Sequence, residues 1–454
     1  MGLEIIILAA GKGTRMHSEL PKVLHKVAGK PMLNHVIDCA KKLSPDAIHV
    51  VIGYGADLVK TLLSEENINW CLQTEQLGTG NAVQQALPDI KDEQEVLILY
   101  GDVPLLKSDT LKTLISDLAN NRLVILSAKL NDPTGYGRIV REDKKVQRIV
   151  EQKDAENETL KINEINSGIL ASNAGKLKHW LSKISNKNAQ KEFYLTDCIE
   201  LAVNDQDNVE AIVCDSEEEI LGVNDKIHLA LVERIFQKRI AKQLMTRGVT
   251  LIDPSRIDVR GYLETGKDVE IDVNSVFIGD NVLGDQVSIG ANAVIINSQI
   301  SAGTSIHANC HIENANIGEK CEIGPFARIR PETVLAENVK VGNFVEIKKA
   351  NIATGSKINH LSYIGDSVLG NNVNIGAGTI TCNYDGANKH RTIIGDNVFV
   401  GSDTQFIAPV TIGNGATIGA GSTITKDTPE QKLTLSRSKQ FTIENWQRPQ
   451  KKPK

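Results

Sequence analysis

The sequence is poor in aromatic residues, which fill 4% of 454 positions against an apolar share of 41%. That scarcity argues against a core of packed rings and for an aliphatic α/β core or a β-rich solenoid. No excess of positive charge is present either: Lys and Arg number 51, Asp and Glu 56, both signs are interspersed, and the formal net charge is -5. Such a chain has no field suited to gripping nucleic acid or an acidic membrane surface, so neither is an expected partner. Cysteines are scattered at 39, 71, 198, 214, 310, 321 and 382, with no CxxC pair and no metal-ligand cluster, and read as reduced, mostly buried thiols. Long apolar runs are missing too. Ile5–Ala10 follows Glu4 and is too short for a signal peptide or a membrane span, which makes the cytoplasm the expected location.

What is there falls into two grammars, and the length alone predicts more than one domain. Up to about Val223, short aliphatic runs alternate with amphipathic stretches: Glu4–Ala10, Ile48–Ile52, Val96–Tyr100 and Val124–Lys129 are predicted strands. That alternation predicts a mainly parallel sheet with helices on both faces. Asp225–Met245 carries Ile227, Leu231, Ile235, Ile240 and Leu244 among charges, with Gly248 as a stop, and reads as one long helix. The expected domains are 1–226, a linker helix 227–247, and 248–454.

Beyond Val249 the aliphatic period becomes six. Ile317, Ile323, Ile329, Leu335, Val341 and Ile347 follow it, as do Ile394, Val400, Phe406, Ile412, Ile418 and Ile424. Neither a strand nor a helix repeats in six, whereas a coil that turns a corner every six residues does, so this half is predicted to be a parallel β-helix. Its small corners leave little room for rings, which accounts for the missing aromatics. One segment, Asn383–His390, breaks the repeat and is a candidate binding loop. The basic, Pro-interrupted stretch Arg448–Lys454 reads as a disordered tail.

Chemistry is concentrated at a few places. Leu8-Ala9-Ala10-Gly11-Lys12-Gly13-Thr14-Arg15-Met16 is a Gly-rich turn after the first strand, able to offer backbone N–H groups to an anion. It lacks the Walker A spacing, and Met16 stands where a dinucleotide-binding turn needs its third glycine. Arg15 and Lys22 add two cations suited to a triphosphate and its leaving pyrophosphate. Asp102 stands at a strand's carboxyl end, where open α/β sheets bind ligands and where a hard oxygen can hold Mg²⁺. In the second half Arg330 and Lys348 follow core aliphatics, with His360, Tyr363 and Asn374 on later coils and Lys389 on the loop. Two cations in one groove suit a sugar phosphate. A histidine is the natural base for an amine attacking a thioester near neutral pH.

The first set of motifs, with Gln73-Thr74-Glu75-Gln76-Leu77-Gly78-Thr79-Gly80 and Tyr100-Gly101-Asp102-Val103-Pro104, resembles the sugar-1-phosphate nucleotidyltransferases. With the six-residue repeat included, the whole chain resembles the bacterial bifunctional enzymes that join N-acetylglucosamine-1-phosphate uridylyltransferase to glucosamine-1-phosphate acetyltransferase. The resemblance implies a Rossmann-like α/β nucleotidyltransferase domain, a long helix and a left-handed parallel β-helix, assembled as a homotrimer. It implies glucosamine-1-phosphate, acetyl-CoA and UTP as substrates, Mg²⁺ as cofactor, and UDP-N-acetylglucosamine for peptidoglycan and lipopolysaccharide synthesis as product. By the same resemblance Asn224 joins Asp102 on the metal. Leu8, Ala9, Ala10, Gly11, Lys22, Tyr100 and Gly101 line the nucleotide site, Gln73, Gly78 and Thr79 read the uracil, and Gly137, Glu151 and Asn166 hold the acetylated sugar. Asn224 also reads as an N-cap of the long helix. Asn81 departs from that family's expected histidine. Arg330, Lys348, Tyr363, Asn374 and Lys389 would bind the acetyl acceptor beside His360 as base, and Ala377, Asn383, Tyr384, Ser402, Ala420 and Arg437 would bind acetyl-CoA.

Two other readings compete. One is a monofunctional nucleotidyltransferase whose β-helix oligomerises or senses an effector; the set Arg330, Lys348, His360, Tyr363 and Lys389 argues against it. The other is a non-catalytic assembly scaffold, which has no need to keep Lys22, Asp102 and His360 together.

Overall fold

The computed structural model describes residues 2–63 and 68–451, so Met1 and the end of the tail Arg448–Lys454 lie outside the described residues. The chain divides into two compact units, Met1–Gln237 and Lys238–Lys454.

In the first unit a twisted sheet runs in the order Val209–Val213, Leu123–Lys129, Glu164–Asn173, Glu95–Tyr100, Leu3–Ala9, Ala47–Ile52, Ile68–Leu72. The four strands expected from sequence are present, each starting one residue earlier than its aliphatic run. Ile5, Ile7 and Ala9 face one buried cluster, and Ile6, Leu8 and Ala10 the other. Helices cover both faces, which is why these parallel strands are apolar throughout rather than alternating. From Leu3–Ala9 the chain pairs first with Ala47–Ile52 on one side and later with Glu95–Tyr100 on the other. That reversal of strand order opens a crevice at the strands' carboxyl ends.

Sequence pattern missed the strand Glu164–Asn173, which runs antiparallel to both neighbours. Its middle, Asn166-Ser167-Gly168, is polar, Gly168 has φ 87°, and the register shifts between Asn166 and Leu170. A bulge of that kind hides the alternation by which a strand is recognised.

The long helix spans Lys226–Thr246. Its N-terminal N–H groups are capped by Asp225, whose Oδ1 accepts from the backbone of Ile227 at 3.0 Å and His228 at 2.8 Å. Asn224 is therefore not the capping side chain. Val232 packs with Met16, Val27 and Met32 in the first unit, while Ala241 and Leu244 join the core of the second. Gly248, at φ 98°, follows the helix end.

The second unit is a parallel β-helix. Ile323, Val341, Ile358, Ile375, Val400 and Ile418 stack in register on successive coils, all buried. Each such side chain taken from water contributes about 1.5–3 kcal/mol. The small positions Thr333, Val339, Thr404, Val410 and Ser422 are buried as well. The step from Ile375 to Val400 is longer than the others because Asn383–His390 leaves the coil between the strands Ile380–Cys382 and Thr392–Ile394. One corner is left-handed on successive coils: Asn274, Asn292 and Asn309 occupy it first, bonded to one another through their amides. Asparagine tolerates that conformation. On the next coils the same corner carries Phe326, Phe344 and Leu361, at φ 56°, 56° and 48°.

Candidate active sites

A cleft of about 560 Å³ opens at the carboxyl ends of Leu3–Ala9 and Glu95–Tyr100, walled by Leu8, Ala9, Ala10, Gly11 and Lys12 on one side. Gly13 has φ 60°, and a Cβ there would sit 2.7 Å from the Lys22 Cβ, so glycine is what lets the lysine stem pass behind the turn. Lys22 Nζ pairs with Asp102 Oδ2, and Arg15 Nη2 donates to Asn224 Oδ1 at 2.9 Å. The backbone N–H of Val223 donates to Asp102 O at 2.9 Å, which ties the turn after the strand Glu95–Tyr100 to the segment that carries Asn224 just before the long helix. Two cations, a carboxylate and an amide oxygen thus converge. Asp102 and Asn224 fit a hard cation that takes its other ligands from phosphates and water, as Mg²⁺ does. Among the described residues no group of three or more His, Cys, Asp or Glu side chains could hold a metal alone.

At one end of the cleft Gln73 is buried, and its Nε2 donates to Gly78 O at 3.2 Å and Asn81 Oδ1 at 2.9 Å. Gly78 has φ 116°, and a Cβ there would meet the Phe193 backbone at 2.6 Å. Only glycine admits that approach, which Gly80 N–H to Phe193 O at 2.8 Å and Leu195 N–H to Thr79 Oγ1 at 3.0 Å then clamp. Deeper in, Tyr100 has its phenol pushed up by burial and by the charges of Glu151 and Asp102. Burial also raises Glu151, which accepts from Thr196 Oγ1 at 3.1 Å. Gly137 lies against the Glu151 carboxylate and accepts the Asn166 N–H at 2.9 Å. Gly137, Glu151 and Asn166 are therefore one group beside Tyr100.

On the coil, Arg330 Nη1 donates to Glu346 Oε1 at 2.8 Å. Lys348 is held below the usual lysine range, first by its hydrogen bond with Lys389, then by desolvation and the charges of Lys389 and Arg330. Three like charges gathered on one surface favour an anion between them. Tyr363 is in register with Glu346, its ring folded over Gly365, which pairs with Lys348. His360 is exposed at the end of the strand Lys357–His360, its Nδ1 3.0 Å from Asn343 Oδ1 on the coil before. A backbone ladder stacks the next corners beneath it: Gly378 N–H to His360 O, Asp403 N–H to Ala377 O and Gly421 N–H to Ser402 O. Arg437 Nη1 closes the series on Ala420 O at 3.0 Å.

Residues 5–155 match the MobA-like NTP transferase domain, 260–353 the GMPPB C-terminal domain, and 391–426 the bacterial transferase hexapeptide (six repeats). "Bifunctional protein GlmU" of Janthinobacterium sp. (strain Marseille) is 56% identical over 99% of both chains. Its namesake from Cupriavidus pinatubonensis is 55% identical over the full length of both. The chain belongs to the bifunctional GlmU family.

Among solved structures, HddC from Yersinia pseudotuberculosis aligns with 51% of this chain and 99% of its own, at 19% identity and TM-score 0.40. In this chain the site residues read from sequence fall into the cleft, the group behind Tyr100, and the coil. Gly101 is pinned by its N–H to Leu8 O at 2.9 Å. Asn383 donates to Asp366, and Tyr384 bridges antiparallel to Lys389, so the loop is a hairpin standing on the cationic cluster. Asn374 stacks between Lys357 and Phe399, with no side-chain hydrogen bond to that cluster among the described residues. Sequence reasoning missed Tyr136, Ser167 and Glu192 in the cleft. It also missed the coil partners Asn343, Glu346 and Asp366. The last three stand 16 or 17 positions from His360, Arg330 and Asn383. One turn of three hexapeptides would have pointed to them.

Proposed function

We propose that the chain makes UDP-N-acetylglucosamine for peptidoglycan and lipopolysaccharide synthesis, in two steps at two separate sites. The observation that carries this reading is that one GlmU-family chain holds both a cation-and-carboxylate cleft at a sheet switch point and a histidine corner beside three cations on a hexapeptide coil.

On the coil, Arg330, Lys348 and Lys389 hold the phosphate of glucosamine-1-phosphate. The amine attacks the thioester carbonyl carbon of acetyl-CoA, His360 takes the proton, and coenzyme A leaves as its thiol, protonated in turn. Asn343 Oδ1 at His360 Nδ1 favours the tautomer with hydrogen on Nδ1, leaving Nε2 as the base. Ala377, Ser402, Ala420 and Arg437 form a stacked corner along which the extended donor lies, with Asn383 and Tyr384 of the hairpin against its acyl end. Phe326 and Phe344, exposed and stacked 5.3 Å apart, sit just before this corner with exposed Leu361. Bulky residues in left-handed backbone are strained, and strain on an exposed apolar ladder points to a covered surface. A homotrimer, in which a second copy covers the ladder and closes the donor site, fits it.

In the cleft, an oxygen of the N-acetylglucosamine-1-phosphate dianion attacks the α-phosphorus of UTP, and pyrophosphate departs. No protein nucleophile is needed; Lys22 and Arg15 spread the charge, and catalysis is positioning and electrostatics. Asp102 and Asn224 would hold Mg²⁺, which when bound screens the triphosphate. Gln73, Gly78 and Thr79 face the base, and Gly137, Glu151 and Asn166 the sugar. Seven free cysteines, most of them buried with raised pKa, accord with a reducing cytoplasm; among the described residues no helix is long and apolar enough to cross a membrane.

The test supplies glucosamine-1-phosphate, acetyl-CoA, UTP and Mg²⁺ and follows free thiol and pyrophosphate separately. Both should appear, and pyrophosphate should depend on thiol release. Pyrophosphate from supplied N-acetylglucosamine-1-phosphate, with no thiol released from glucosamine-1-phosphate and acetyl-CoA, would remove the acetyltransferase half.

A further inference from the structure

We infer that Asn81 is a positioning residue that sets the polarity with which Gln73 meets the nucleobase, and through it the choice among pyrimidines. This rests on the reading of Gln73 as base-facing. Gln73 is 4% exposed, and its backbone is fixed by its own N–H to Ile52 O at 2.8 Å and by Gln76 Nε2 on its carbonyl at 3.3 Å. The only freedom left that matters is which way the side-chain amide faces. Nε2 donates to Gly78 O at 3.2 Å and to Asn81 Oδ1 at 2.9 Å. A backbone carbonyl can only accept, so the atom facing Gly78 is the nitrogen. Both of its hydrogens are then engaged, and Oε1 is the atom Gln73 presents to a ligand in the cleft.

An amide oxygen accepts from a ring N–H. Uracil offers one at N3; cytosine has a bare nitrogen there, and the two acceptors would repel. Two acceptors hold the amide in this sense, one from the backbone turn at Gly78 and one from Asn81. Asn81 is set in the helix Thr79–Gln84, whose first residue is tied to Leu195 and whose Asn81 carbonyl accepts from Gln85 Nε2 at 3.0 Å. Without the Asn81 oxygen, one buried N–H of Gln73 loses its partner, and the rotated amide, nitrogen toward the base, is disfavoured by Gly78 alone. Base discrimination falls while the distance from the base to Lys22, Arg15 and Asp102 stays the same.

The experiment measures kcat and KM for UTP and for CTP with N-acetylglucosamine-1-phosphate, in wild type, Asn81→Leu, Asn81→Asp and Gln73→Leu, with thiol release by the other half as a check on the preparation. Asn81→Leu should lower the UTP-to-CTP ratio of kcat/KM by about tenfold, the worth of one hydrogen bond to a buried group. The loss should lie in KM for UTP, with kcat for UTP held. Asn81→Asp keeps an acceptor of the same shape and should keep the wild-type ratio, so it decides the matter even if the leucine variant folds poorly. A wild-type ratio in Asn81→Leu, or an Asn81→Asp ratio as low as that of Gln73→Leu, overturns the role of Asn81. A wild-type ratio in Gln73→Leu overturns instead the reading of Gln73 as base-facing, and the inference with it.

Discussion

The two halves of this chain place their reactive groups in opposite ways. In the first, polar side chains gather at a cleft where the strand order reverses, and burial pushes up both the Tyr100 phenol on its wall and the Glu151 carboxyl behind it. In the second, Arg330, Lys348, Lys389 and His360 lie on the outside of a regular coil whose interior is mostly aliphatic and small, with Phe277 and Phe406 as buried rings. A sheet with loops at one edge encloses a ligand within one chain. A coil with every side chain either inside a packed core or outside in water can only offer a surface, and enclosure must come from something laid against it.

The sharpest way to break that comparison is to disable each site alone. His360→Ala should lower acetyl transfer by about 10²–10⁴-fold, the usual worth of a general base, with pyrophosphate release from supplied N-acetylglucosamine-1-phosphate and UTP unchanged. Asp102→Ala should do the reverse. Either variant losing both activities would mean the sites are not independent.

Next in size is the exposed ladder. Charges at Phe326→Asp with Phe344→Asp should dissociate the assembly in sedimentation and cut thiol release at least about tenfold, since a buried unpaired carboxylate is costly. Uridylyl transfer should persist. If assembly is lost and thiol release persists, the coil's donor site is complete within one copy.

A smaller effect separates the two cores. Ile358→Ala, deep in the coil and fully buried, should cost about 2–5 kcal/mol and lower the melting temperature read through thiol release. Pyrophosphate release should keep its heat resistance, because Ile358 shares no cluster with the sheet.

The smallest test concerns titration. Burial, then Glu200, Glu151 and Asp154, push Asp197 up to about 6. A carboxyl whose folded pKa exceeds its unfolded value stabilises at low pH, and that contribution is lost as pH rises through the folded value. Asp197→Asn should therefore stabilise the first unit relative to wild type above pH 6, with no gain below about pH 4. Denaturant titrations at the two ends of that window check the sign.

By itself the sequence determined both architectures, because each is written in a period. Apolar runs such as Ile5–Ala10 and the rung series through Ile323 and Val341 specify burial one residue at a time, and a buried sheet or coil follows locally. It also singled out Lys22, Asp102 and His360 as candidates, since their chemistry is unusual where they stand. Tertiary structure decided what no period encodes. The bulged strand Glu164–Asn173, with Asn166 at its polar centre, becomes a strand only through its two neighbours. Asp225 rather than Asn224 caps the long helix, which leaves Asn224 for Arg15. The amide of Gln73 takes its direction from Gly78 and Asn81 together. Hydrogen-bond partners depend on distance and angle in space, and a chain's order fixes neither until the fold has closed.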